Sequence, residues 1–109
     1  MPDFEIEGLE IHPDAEAELA AAIEWYEAQR EGLGARLLEA MTRVLARIGR
    51  KPRQFAPWPN DRTFRRAVVR RFPYAIVFVE GRPSIVFAVA HTSRSPEYWL
   101  SRMPARPGR

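Results

Sequence analysis

The chain has 109 residues, 46% of them apolar, which fits one domain with a modest core and is not the composition of a disordered segment. It contains no cysteine, which excludes a disulfide framework and thiolate metal sites and fits a reducing cytoplasm. The formal charge of +3 conceals a segregation: residues 1–42 carry eleven acidic and two basic side chains, residues 43–109 three acidic and fifteen basic.

Sixteen of the seventeen basic residues are arginine, Lys51 being the exception. Arginine suits planar, bidentate contacts to carboxylate or phosphate, so the second half expects an anionic partner, either nucleic acid or an acidic protein segment. The plainer alternative is a solvated face that neutralises the acidic half. The opening MPDFEIEGLE has neither a basic n-region nor an apolar h-region, and no apolar run approaches the roughly 18 residues of a spanning helix. A soluble cytoplasmic protein with no membrane partner is the expectation.

In chain order, Phe4, Ile6, Leu9 and Ile11 alternate with acidic residues and predict a first strand, bulged at Gly8. His12-Pro13-Asp14 opens a helix, with proline in the first turn and carboxylates at the positive end of the dipole. Ala15, Leu19, Ala22, Ile23 and Tyr26 form its apolar stripe, and Trp25 lies off it. Glu31-Gly32-Leu33-Gly34 is a short break in which glycine stops the helix. Leu37, Leu38, Met41, Val44, Leu45 and Ile48 mark a second helix, ending near Gly49-Arg50-Lys51 with Pro52 beyond. So short a connection makes the pair an αα-hairpin.

Residues 52–63 form a loop whose Phe55 and Trp58 imply order. RRAVVRR, YAIVFVE and SIVFAVA then predict three strands joined by hairpin-length gaps. The last two are nearly continuous in apolar residues and belong in the sheet centre. The expected order is β-α-α-β-β-β, an α+β fold with a helical hairpin on a small, mostly antiparallel sheet. Residues 1–101 form the single domain and 102–109 a flexible tail.

Gly-rich phosphate loops and metal spacings involving His12 or His91 are lacking, so neither cofactor nor metal is expected. His91, Ser93, Arg94, Tyr98 and Trp99 follow the last strand closely. Cleavage of RNA by its own 2′-hydroxyl needs a base, an acid and cationic stabilisation of the phosphorane, roles open to His91, Tyr98 and Arg94. A histidine at a strand end is more commonly a hydrogen-bonded structural residue, and Tyr98-Trp99 equally reads as an apolar anchor. Arg65, Arg66, Arg70 and Arg71 are the densest basic cluster; on a strand Arg66 and Arg70 share one face, Arg65 and Arg71 the other. They serve either an anionic partner or protection of an edge strand.

Glu24-Trp25-Tyr26, Arg71-Phe72-Pro73-Tyr74, and Ala90-His91 leading to Pro96-Glu97-Tyr98-Trp99 resemble the RelE/ParE superfamily of toxins from type II toxin–antitoxin modules. The likeness runs from about Phe4 to Trp99 and implies the fold order just given. It also implies one of two activities: ribosome-dependent cleavage of mRNA in RelE-type members, or inhibition of DNA gyrase by protein binding in ParE-type members. RelE-type arginines fall where this chain has Ala75 and Thr92, and the RelE-type lysines have no clear equivalent. Tyr98 matches the family tyrosine, Arg94 a neighbouring basic position, and His91 a histidine used by other nuclease branches. The ParE branch is therefore the expectation, with a cognate antitoxin as partner in a hetero-oligomer. Trp25, Arg65, Arg66, Arg70, Arg71, Arg94 and Trp99 are the candidate target or antitoxin contacts. The alternatives are an mRNA endonuclease using His91, Arg94 and Tyr98, or a chain that binds antitoxin without toxicity.

Overall fold

A computed structural model describes residues 5–94 and 97–103. Strand β1 (Leu9–Ile11) is followed by helices α1 (Pro13–Gln29) and α2 (Leu33–Arg50), then strands β2 (Arg65–Val68), β3 (Tyr74–Val79) and β4 (Ser84–His91). The strands form one sheet in the order β1-β4-β3-β2, with β1 parallel to β4 and the other pairs antiparallel. This is the β-α-α-β-β-β, α+β arrangement expected from the sequence.

Helix α1 starts at Pro13 because His12 caps it, its Nδ1 accepting from the Asp14 N–H at 3.0 Å. The stripe is as expected: Ala15, Leu19 and Ala22 are buried, Ile23 and Tyr26 half-buried, and Trp25 is 58% exposed. The break differs in detail. Arg30 is the extended C-cap of α1, Gly32 takes a left-handed φ of 89° as N-cap of α2, and Gly34 lies inside that helix. Gly34 serves packing instead: a Cβ there would meet the Ile23 carbonyl oxygen at 2.7 Å, so glycine lets the helices approach.

Strand β1 is shorter than the alternation suggested. Residues 7 and 8 form a turn, Gly8 has φ of 79°, and the strand begins only at Leu9, so there is no bulge. Phe4 lies outside the described residues. Strand β2 is also cut short: the chain turns at Arg71, with φ of 73°, and the Val69 N–H to Tyr74 carbonyl bond closes the hairpin. Arg70 and Arg71 therefore leave the strand, and the expected pairing of arginines by strand face ends at Val68.

The main core lies between the helices and the sheet, where Leu19, Leu37, Met41, Leu45 and Ile48 meet Ile76, Phe78 and Val86. A second cluster covers the opposite sheet face: Phe64, Val77, Phe87, Ala88 and Trp99, with Trp58 and Met103 against it. This explains the unbroken apolar runs of β3 and β4, which are covered on both faces. A register shift at Val77/Phe78 leaves Phe87 as the extra residue of β4, so consecutive Phe87 and Ala88 both join the second cluster.

Candidate functional site: a latched C-terminal segment and a basic groove

Strand β4 outruns β1, which pairs only as far as Val86. The backbone groups left open there are taken by side chains. The Val89 N–H donates to Glu18 Oε1 at 2.9 Å, and Arg102 donates from Nη1 to the Phe87 carbonyl at 2.9 Å. Glu18, projecting from α1, also accepts from both Arg102 Nη atoms at 2.9 and 3.0 Å and from the Tyr98 hydroxyl at 2.7 Å. The Glu18 and Arg102 side chains are only 16% and 15% exposed. Burial pushes the Glu18 carboxyl up, but hydrogen bonds from Arg102, Tyr98 and the Val89 N–H outweigh it and hold it below the usual carboxylate range. Burial, then the bond to the Glu18 carboxylate, pushes the Tyr98 phenol well above its ordinary value.

The clasp fixes a 3-10 helix, Tyr98–Arg102, whose Trp99 is 2% exposed and packs edge-on against Trp58 with centroids 4.7 Å apart. Two expectations are corrected here. Arg102 is docked rather than the first residue of a free tail, because Glu18 and the open edge of β4 both bind it. Trp99 is a core residue and presents no surface to a partner. Residues 104–109 lie outside the described residues, as do Ser95 and Pro96.

Of the residues with possible chemistry, His91 ends β4. Its Nδ1 accepts from the Ser93 N–H at 3.1 Å and lies 2.7 Å from Ser93 Oγ, while its ring packs edge-on against Tyr74. Arg94 stacks its guanidinium over the Tyr98 ring at 3.9 Å and stands 3.9 Å from Glu18. Arg94 and Tyr98 are thus brought together, but around a carboxylate. His91 belongs to a separate turn. Ala75 pairs with Val68 on one side and Ala90 on the other, so the sheet face away from the helices is apolar at this point, with Val68 65% exposed.

The arginine cluster divides. Arg65 is structural: it donates to Glu80 from Nε and Nη2 at 3.3 and 3.0 Å and to the Phe55 carbonyl from Nη1 at 2.6 Å. That makes it part of the framework rather than a contact surface. Arg66 reaches across the Trp58 ring at 5.8 Å. Arg70 and Arg71 instead enter the rim of a groove of about 1000 Å³ between α2 and the free side of β2. Tyr26, Leu33, Ala40, Val44 and Phe72 give it an apolar lining, the exposed Val68 borders it at the β2 edge, and Arg36, Arg43 and Arg47 add to its basic side. Glu39 is the rim's acidic residue, paired with Arg43 at 2.9 Å. Trp25 extends the apolar surface beside the groove by its edge-on contact with Tyr26, centroids 5.0 Å apart.

Backbone edges are open here too. The Arg66 N–H donates away from β3 to the Ala56 carbonyl at 3.0 Å, so by strand alternation Val68 also turns its N–H and carbonyl outward. A groove with an apolar lining, a cationic rim and an open strand edge is chemically suited to an acidic, partly apolar peptide segment. Glu18 was not singled out from the sequence, since it sits unremarked in an alanine–glutamate run. Arg36, Arg43 and Arg47 are not among the contacts expected from the sequence either, although their spacing puts them on the face of α2 away from Leu37, Met41 and Leu45. Among the described residues, no cluster of metal-ligating side chains occurs, and no helix is long and apolar enough to cross a membrane.

Comparison with known proteins agrees with this architecture. No curated protein sequence matches the chain. Among solved structures it is similar to a chain of the chromosomal ParDE TA system from P. aeruginosa, with a TM-score of 0.67 and 17% identity. The similarity covers 79% of this chain and 96% of that one, and it establishes the shared fold. A family model described as the ParE toxin of the type II toxin-antitoxin system, parDE, matches residues 9–96, from the start of β1 to just short of the latched segment. The chain therefore belongs to the ParE toxin family of type II toxin–antitoxin systems.

Proposed function

We propose that the chain is a toxin that inhibits DNA gyrase by protein binding and is neutralised in the cytoplasm by a cognate antitoxin lying in the basic groove. The observation that carries this reading is the engagement of Tyr98. Its hydroxyl donates to the Glu18 carboxylate, and its pKa is raised, so it is poorly placed to deliver a proton to a leaving oxygen. The two positions matched to RelE-type arginines, Ala75 and Thr92, carry no charge for a phosphorane. Both features favour binding over RNA cleavage.

The groove supports the second half of the proposal. An antitoxin segment that is acidic and amphipathic would place apolar side chains on Tyr26, Val44 and Phe72 and carboxylates against Arg36, Arg70 and Arg71. Trp25, Arg66 and Arg94 remain exposed for contact with gyrase or the antitoxin. The ribosome and mRNA would be the partners only if His91, Arg94 and Tyr98 were catalytic. Induction in cells separates the readings. Filamentation with DNA damage, retained by His91→Ala and Tyr98→Phe variants that fold normally, is the expected outcome. Arrest of translation that both substitutions abolish would establish the nuclease instead. Unaffected growth on induction would leave only an antitoxin-binding protein.

A further inference from the structure

We infer that, when no other protein occupies it, the basic groove receives the acidic β1 edge of a second copy of this chain, giving a salt-sensitive head-to-tail association. Charge is segregated between the two edges of the sheet. Strands β1 and β2 are the two opposite edges of the sheet. On the β2 edge lies the groove with Arg36, Arg47, Arg70 and Arg71, none of which forms an ion pair among the described residues. On the β1 edge a shallow hollow of about 660 Å³ is lined by Glu5, Glu7, Glu10 and Glu16 together with Ile6 and Ile11. Those four carboxylates are likewise without ion pairs among the described residues.

Each surface combines charge with an apolar strip, and each complements the other rather than itself. A two-fold contact at either edge alone would set arginine against arginine or glutamate against glutamate, which costs free energy. The favourable contact joins unlike edges and leaves one of each kind open at the ends, so it is heterologous and can propagate. Its strength rests on charges at the surface. It therefore weakens steeply as the screening length falls from about 10 Å at 0.1 M salt to about 3 Å at 1 M.

This inference does not depend on the toxin reading, because purified full-length chain alone suffices to test it. Sedimentation equilibrium should show an average mass that rises with concentration beyond two copies at about 50 mM salt. The dissociation constant should increase more than about tenfold by about 500 mM. Glu7→Arg with Glu10→Arg, and separately Arg36→Glu with Arg70→Glu, should each leave the chain monomeric while retaining the wild-type circular dichroism spectrum. All four positions are exposed. Mixed in equal amounts at low salt, the two variants should associate again, because the acidic β1 edge of one meets the basic groove of the other and their reversed edges are likewise of opposite charge. A wild-type chain that stays monomeric at low salt, a variant that associates as wild type does, or a mixture that stays monomeric would each overturn the inference.

Discussion

Glu18 organises more of this molecule than any other polar side chain described. Its carboxylate answers three groups at once: the Val89 N–H on the open edge of β4, the Tyr98 phenol and the Arg102 guanidinium. Glu18→Ala should destabilise the fold by about 2–3 kcal/mol in chemical denaturation, somewhat below a fully buried pair because both partners keep some exposure. Tyr98→Phe removes one hydrogen bond to a charged acceptor and should cost about 1–2 kcal/mol. The clasp also sets a pH dependence. Since Glu18 titrates lower in the folded chain than its unfolded value of about 4.3, its stabilisation is complete above that value. It is lost as pH falls through the lower folded value. Thermal melts between about pH 5 and pH 2 should therefore fall less for Glu18→Gln than for wild type; equal slopes would remove Glu18 from the acid response.

The helical hairpin shows what periodicity conveys and what it omits. Both apolar stripes were readable from spacing, because the 3–4 repeat that makes a core face is a property of each helix alone. The junction was not, because it is decided between helices. Glu27 on α1 accepts from the Gly32 and Gly34 N–H groups at 2.9 Å each, capping α2 from its neighbour. Glu27→Ala should cost about 1 kcal/mol, as loss of an ordinary N-cap does. Gly34→Ala should cost about 1–3 kcal/mol by forcing the helices apart. If denaturation midpoints show Gly34→Ala to be neutral, the close approach of the helices is not what retains that glycine. Strand limits failed for a related reason. Alternation predicted a strand through Arg71, but tertiary closure of the β2–β3 hairpin turns the chain two residues after Val68.

Across the sheet, the fold gathers glutamates at the β1 edge and arginines at the β2 edge that are unpaired among the described residues. The charge pattern was visible in the sequence, and so was the family resemblance. Which arginines serve structure and which face outward was not visible, since Arg65 and Arg70 look alike until Glu80 and the Phe55 carbonyl arrive beside the first. The C-terminal segment shows the same limit: the imidazole, guanidinium and phenol that suggest a catalytic trio end up serving a carboxylate and a turn. The proposed mode of action is tested most directly with purified gyrase. At stoichiometric concentrations the chain should block supercoiling, its antitoxin should restore it, and translating ribosomes given the same amount should keep their mRNA intact. Undisturbed supercoiling together with cleaved mRNA would contradict the proposal and return Arg94, Tyr98 and His91 to catalysis.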